Sequence, residues 1–227
     1  FFCIFLIEVI FLNFNSMGCK YCGKLLKKNE TYCDDHCKNE YNNMFNQKVK
    51  PVFMLAEAWE PELMKNAFDM GYSWDTHHRM NHIAKGEENV KNWDARMTQI
   101  DTMYAKDNIL MNFVTNHDEN SWNGTMKSRL GSAEETMTAL SYLTPGMPLV
   151  YSGDEYGLDK SLKFFEKDSF TKVKGKQWEW RVKLGKLKNE NVALNGGKKA
   201  ASYTKISTSD DTKILAFERA KENNKVI

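Results

Sequence analysis

The sequence predicts an α/β protein built from repeated units of strand, loop and helix. Three observations support this prediction: apolar runs of strand length, stretches with helical spacing between them, and polar or acidic residues directly after the strands. The predicted strands are Val52–Ala56, Phe68–Tyr72, Ile109–Val114 and Pro148–Tyr151. Such a repeat is typical of part of a (β/α)8 TIM barrel, whose functional groups lie at the carboxyl ends of the parallel strands.

Helices are predicted near Glu62–Ala67, over Val90–Tyr104, from Ser132 to Pro145-Gly146, and over Gln177–Asn191. In the second of these, apolar residues recur at steps of three and four, which places them on one face. Ser132 and Glu135 have the spacing of a capping box, and Pro145-Gly146 is a stop signal.

Two alternating strands are predicted after the last helix, at Ala201–Ser207 and Ile214–Ala220. The turn-rich residues Ser209–Asp211 separate them, which favours an antiparallel pair.

Composition excludes several classes of protein. The 227 residues are 41% apolar and 27% charged, which is ordinary for a globular protein and excludes a disordered tail or a fibre. The net charge of +2 gives no reason to expect nucleic acid or an anionic membrane as a partner. All five cysteines lie between Cys3 and Cys37, so the chain is expected to contain at least two parts of different character.

Residues 1–16 form an apolar segment that is shorter than the roughly 20 residues needed to span a bilayer, so no stable membrane span is expected. Two interpretations stay open. If translation starts at Met17, the segment is untranslated and a cytoplasmic location follows; if it is a clipped signal, the protein is exported.

Residues 17–48 contain two close cysteine pairs, Cys19 with Cys22 and Cys33 with Cys37. Four thiolates at this spacing can surround a zinc ion tetrahedrally, and such a closed site is structural. Two disulfides or unpaired thiols are the alternatives. The segment resembles small bacterial zinc ribbons, which implies nothing about an activity.

Acidic residues follow two of the predicted strands. Glu57 ends the first strand and Asp118 follows the third, so both carboxylates are expected at one edge of the sheet, where one can act as a general acid. Trp59 would form an apolar wall and stack on a sugar, and His117 would donate a hydrogen bond to a hydroxyl group. The alternative is that both acids are solvated loop residues or helix caps.

The segments LAEAW, NFVTNHDENSW and TPGMPLVYSGDEYG occur in the order of the later motifs of the α-amylase family of glycoside hydrolases (family 13), which they resemble. The resemblance implies that Glu57 is the general acid/base and that Asp118 stabilises the transition state. It also implies that His117 and Asn116 bind the sugar.

The resemblance runs from about Val49 to the end of the chain. It implies that residues 49–195 are roughly strands five to eight of the barrel and that residues 196–227 are a truncated C-terminal antiparallel β-domain. Family members often bind Ca²⁺, but no calcium ligands can be assigned here. A fusion near residue 48, natural or introduced by gene prediction, accounts for the change in composition.

One departure from the family matters for activity. The nucleophilic Asp of the family lies in an R-x-D motif that precedes the acid/base Glu, and no arginine precedes Glu57 in this sequence. The resemblance implies retaining hydrolysis of α-1,4-glucosidic bonds in starch or maltodextrins, but without the nucleophile we expect this chain alone to be inactive, with the missing barrel half as a partner in trans. A zinc-dependent adaptor and a non-catalytic glucan-binding module are the alternatives.

Overall fold

The computed structural model describes residues 53–197 and 200–227, and residues 55–227 belong to one compact unit. The strands are β1 (Leu55–Ala56), β2 (Met70–Tyr72), β3 (Ile109–Asn112), β4 (Met147–Pro148), β5 (Ser202–Lys205), β6 (Phe217–Lys221) and β7 (Asn224–Val226). The helices are α1 (Leu63–Asn66), α2 (Trp74–Ala84), α3 (Lys91–Met103), α4 (His117–Trp122), α5 (Met126–Leu130), α6 (Glu134–Leu143) and α7 (Lys176–Glu190).

Strands β1 to β4 form a parallel sheet in chain order. Leu55 pairs with Met70, which pairs in turn with Ile109, and Met111 pairs with Met147. Because parallel neighbours need crossover connections, helices lie between the strands, as in the predicted repeat. The prediction of an α/β fold with a parallel sheet is confirmed.

The outer strands are shorter than predicted. Phe53 precedes β1 and is 52% exposed, so the expectation of a run buried on both faces is wrong at this position. At the other edge, pairing involves Met147 and Pro148, and Val150 beyond them is exposed. Proline has no N–H to donate to a ladder, which limits the length of β4.

The predicted helices α1, α3 and α7 agree with the structure to within one residue at either end. The capping box is wrong, because Gly131–Ala133 forms a 3₁₀ turn and α6 begins at Glu134 without a side-chain cap. Helices α2, α4 and α5 were not predicted. Most of the residues of α2 are polar, and it buries Thr76, His77 and Asn81 beside Met80.

The main core lies between the helices and contains Trp93 and Met97 of α3, as the helical spacing predicted. Leu130 of α5 and Leu140 of α6 pack in the same cluster, together with Phe217 of β6. A second cluster under the sheet joins Tyr72 to Phe113. These clusters fix the strands whose ends carry the candidate site.

Strands β5, β6 and β7 form a separate antiparallel sheet, of which the third strand was not predicted. Arg219 of β6 is fully buried and donates hydrogen bonds to backbone carbonyls of Ser202 at 2.9 Å, Leu143 at 2.9 Å, Asn195 at 3.2 Å and Ala201 at 3.3 Å. Since Leu143 ends α6, this guanidinium joins the antiparallel sheet to the helical layer.

Within residues 53–197 and 200–227, no helix combines the length and the apolar character that a bilayer span requires. The predicted zinc ligands and the apolar segment 1–16 lie outside the described residues.

Candidate active site

Three polar side chains meet at the carboxyl edge of the parallel sheet. Glu57 directly follows β1, whereas His117 and Asp118 are the first residues of α4, which comes after β3. Strands β1 and β3 flank β2 with parallel register, so their carboxyl ends lie at the same edge. The structure thus brings together the two predicted carboxylates and the predicted histidine.

His117 lies between the two acids. Its Nε2 atom is 3.1 Å from Oε1 of Glu57 and 3.6 Å from Oδ1 of Asp118. The three side chains are between 28% and 40% exposed, so a ligand in solution can reach them. Two carboxylates and a hydrogen-bonding imidazole at one exposed point can transfer a proton and hold a hydroxyl group.

Tyr72 is the last residue of β2, the strand between the two that Glu57 and Asp118 follow, and it was missed by sequence reasoning. Its side chain is buried, and burial raises its pKa well above the ordinary value. The negative charges of Glu57 and Asp118 raise it further. Tyr72 therefore stays neutral and can donate a hydrogen bond. Its position as the last residue of a predicted strand was the available signal.

Asn116 positions the two site residues that follow it. Its Oδ1 accepts a hydrogen bond from the backbone N–H of Glu119 at 2.8 Å, so it is the N-cap of α4. The side chain is fully buried, and in the described part of the chain its Nδ2 has no hydrogen-bond partner. Direct contact of Asn116 with a sugar stays a prediction, whereas its capping role fixes the direction of His117 and Asp118.

A buried polar network supports α4 from below. Nε2 of His77 lies 3.0 Å from Oε2 of Glu119, and Nη1 of Arg129 lies 3.6 Å from the same oxygen. Arg129 also donates to Oδ1 of Asn81 at 2.9 Å and to the carbonyl of Val114 at 2.8 Å. These bonds connect α2, α4 and α5 and were not predicted, because their partners are far apart in sequence.

The charge of Glu119 is stabilised inside this network. Burial by itself would raise the pKa of Glu119. The hydrogen bond and the electrostatic interaction with His77 lower it and help to outweigh the effect of burial. Asn123 and Arg129 add to this effect, and the resulting pKa is about 2. The carboxylate of Glu119 therefore stays ionised at neutral and mildly acidic pH.

Trp59 is 48% exposed, two residues after Glu57. Its carbonyl accepts a hydrogen bond from the hydroxyl of Tyr104 at 2.5 Å, which ties the loop after β1 to the end of α3. The ring is thus available to a ligand, and stacking on a sugar stays a prediction.

The segment after β4 leaves the parallel sheet at the same edge as the site residues. Burial raises the pKa of Tyr151, and the negative charges of Asp154 and Asp118 raise it further. Asp154 is itself buried, which raises its pKa to about 7, and its Oδ2 accepts a hydrogen bond from the N–H of Tyr151 at 3.1 Å. The turn of this segment is therefore held by a buried acid rather than left free.

Glu57, His117 and Asp118 are also the group that could share a metal ion among the residues the structure describes, since their ligand atoms lie within 4.8 Å of one another. The four cysteines predicted to bind zinc, Cys19, Cys22, Cys33 and Cys37, lie outside those residues.

The fold is similar to those of solved α-amylases. A noncanonic maltogenic α-amylase from Thermotoga neapolitana aligns with a TM-score of 0.67 and 19% identity over 81% of this chain and 42% of that enzyme. An α-amylase from Lactobacillus plantarum aligns with a TM-score of 0.65 and 19% identity over 84% of this chain and 46% of that enzyme. A cyclomaltodextrinase aligns with a TM-score of 0.65 and 16% identity over 84% of this chain and 33% of that enzyme.

The resemblance to the α-amylase family carried by the sequence motifs is thus confirmed at the level of the fold. This chain spans less than half the length of each of these enzymes. Searches with protein-family models and among curated proteins find no match.

Proposed function

We propose that this chain carries the acid/base half of a glycosidase site that acts on α-1,4-linked glucans. The observation that supports this most directly is the contact of His117 with both Glu57 and Asp118 at the carboxyl edge of an α-amylase-like sheet. In this proposal Glu57 protonates the oxygen of the leaving sugar. Asp118 stabilises the positive charge that develops on the reacting sugar, and His117 donates a hydrogen bond to one of its hydroxyl groups.

A retaining mechanism also needs a nucleophile. One carboxylate attacks the anomeric carbon to form a glycosyl ester while the acid gives its proton to the leaving oxygen; water then cleaves the ester as the acid/base takes up a proton. No arginine, and hence no R-x-D motif, stands before Glu57. We propose that the nucleophile comes from a separate barrel half in trans and that this chain alone binds glucan without cleaving it.

The test is the release of reducing sugar from soluble starch, measured together with retention of the chain on immobilised starch. The chain alone should release none and should be retained, and His117→Ala should weaken retention. If the chain does release sugar, Glu57→Gln and Asp118→Asn should both abolish release. An undiminished rate in Glu57→Gln would refute the acid/base assignment, and a failure to bind starch would refute the glucan site.

The second candidate is a glucan-binding module with no catalytic role in any assembly. The exposed ring of Trp59 beside the site favours it. The two candidates differ when the missing barrel half is supplied: hydrolysis that depends on Glu57 is expected only from the first.

The N-terminal segment carries a separate proposal. We propose that Cys19, Cys22, Cys33 and Cys37 bind one structural Zn²⁺, as their spacing suggests. A role of this segment as an adaptor would be indicated by zinc-dependent capture of another protein.

A further inference from the structure

A group of exposed aromatic rings lies next to the candidate site. Trp122 is 61% exposed, Phe165 is 86% exposed and Phe164 is 39% exposed. The ring of Phe164 is 5.8 Å from that of His117, 5.3 Å from that of Trp122 and 4.7 Å from that of Phe165. We call Trp122, Phe164 and Phe165 the aromatic platform.

The loop that carries the two phenylalanines is fixed to helix α4. Oδ1 of Asn120 accepts a hydrogen bond from the N–H of Leu162 at 2.7 Å, and Nδ2 of Asn120 donates to the carbonyl of Lys160 at 3.1 Å. Oγ of Ser121 donates to the carbonyl of Leu162 at 3.0 Å. Because His117 and Trp122 belong to the same helix, these hydrogen bonds fix the position of the aromatic platform relative to the candidate site.

The far limb of the loop is closed by Asp168. Its carboxylate accepts hydrogen bonds from Nζ of Lys160 at 2.5 Å and from the N–H of Lys163 at 3.2 Å. Thr125 fixes the start of the loop through a 2.6 Å hydrogen bond to Asp159. The polar side chains of this loop therefore bond inward to one another and to the helix, while its largest apolar side chains face solvent.

In a loop that only stabilised the fold, the apolar rings would be buried and the polar side chains would face solvent. Clustered exposed rings instead indicate a surface that a ligand covers. The C–H face of a pyranose is apolar and fits the negatively charged face of an aromatic ring. Two ring-to-ring steps, of 5.8 Å and 4.7 Å, lead from His117 to Phe165. The surface thus continues outward from the point at which the reacting sugar would bind.

We propose that the aromatic platform is a binding subsite for glucose units beyond the one at His117, so that it selects long α-glucans over short ones. This proposal rests on the proposed function, since it takes an α-glucan as the ligand. Stacking on these rings adds binding affinity but does not require hydrogen bonds to particular hydroxyl groups. The gain in affinity therefore depends on how many glucose units the glucan has and not on its end groups.

The test is calorimetric titration of the whole chain in a Glu57→Gln background with maltose and with maltoheptaose. Maltoheptaose should bind more tightly than maltose. Phe165→Ala should weaken maltoheptaose binding about fivefold and leave maltose binding within about twofold, because only the outer sugars lose a stacking partner. Trp122→Ala should act in the same direction.

The control is Val173→Ala, which removes another exposed apolar side chain, 65% exposed, outside the platform and should change neither affinity. If His117→Ala weakens both ligands while Phe165→Ala changes neither, the platform is not a subsite and the proposed function survives. If neither sugar binds the Glu57→Gln chain with the aromatic platform intact, both proposals fail. If Phe165→Ala instead converts a dimer to a monomer in light scattering, a second copy covers the platform and the subsite is refuted.

Discussion

Nε2 of His77 lies 3.0 Å from Oε2 of Glu119, and both residues are buried; Glu119 belongs to the helix that also carries His117 and Asp118. The pair joins α2 to α4, so the direction of the two site residues depends on a contact that touches no substrate. Arg129 adds a positively charged partner, whose Nη1 lies 3.6 Å from the same carboxylate oxygen.

Replacing Glu119 by Gln should lower the free energy of unfolding at pH 7 by about 3 kcal/mol, because the positive charge of Arg129 loses its buried partner. The folded pKa of Glu119, about 2, lies below the ordinary value of 4.5, so its contribution is complete above pH 4.5 and is lost as the pH falls toward 2. The difference between the two proteins should therefore shrink by about half between pH 7 and pH 3.

Urea unfolding at both pH values measures this difference. Glu62→Gln is the control, since Glu62 forms only an exposed pair with Lys65 and its replacement should change stability by less than about 0.5 kcal/mol at either pH. A difference for Glu119→Gln that is the same at both pH values would contradict the role given to its charge.

The proposed zinc site of the N-terminal segment can be tested by measuring the metal content of the chain and of cysteine variants. The purified chain should contain about one zinc ion, and Cys33→Ser should lose it, because three thiolates leave the tetrahedral site incomplete. Elemental analysis and thiol titration measure this, and Cys3→Ser, outside the paired spacing, should keep the metal. Metal-free chain with a single free thiol would instead indicate two disulfides, because five cysteines leave one without a partner.

The site was predictable where its residues follow strands. Glu57 and Asp118 could be placed at one edge because parallel strands align their carboxyl ends, and helical spacing was enough to locate α3 with Trp93 in the core. Phe164 and Phe165 could not be placed, because their loop has no periodicity and takes its position from the hydrogen bonds of Asn120.

Local signals misled where tertiary contacts decide. Ser132 has the spacing of a capping residue, but it lies within a 3₁₀ turn that begins at Gly131, so the helix starts later. The buried network of His77, Glu119 and Arg129 joins three helices, none of which was predicted. Its members are far apart in sequence, so local sequence patterns could not predict that they contact one another.

Gly146 should be intolerant of any side chain. Its φ of +117° is a conformation that L-residues rarely adopt, and a Cβ atom there would lie 2.3 Å from the carbonyl oxygen of Leu110. Gly146→Ala should lower the free energy of unfolding by at least about 2 kcal/mol. Gly185→Ala is the matched control, because Gly185 lies inside α7 with open space around it and should gain roughly 0.5–1 kcal/mol. Equal unfolding midpoints for the two variants would contradict this account.

Arg219 should be irreplaceable even by lysine. Its guanidinium is buried and donates to four backbone carbonyls, one of them at the end of α6, and burial lowers its pKa to about 10. Lysine keeps the charge but cannot reproduce the planar fork, so several carbonyls lose their donor. We expect Arg219→Lys to lower the free energy of unfolding by about 2–3 kcal/mol.

Thermal and urea unfolding of Arg219→Lys measure this loss. Lys225→Ala on the adjacent strand β7 is the control, since its pair with Glu218 is on the surface and should contribute less than about 1 kcal/mol. Proteolysis adds a local readout: loss of the carbonyl contacts should release β5 to β7 first, so cleavage should begin near Asn195 and Ala201 while α3 and α6 stay protected. If Arg219→Lys unfolds like the unsubstituted chain, the buried guanidinium does not hold the two layers together.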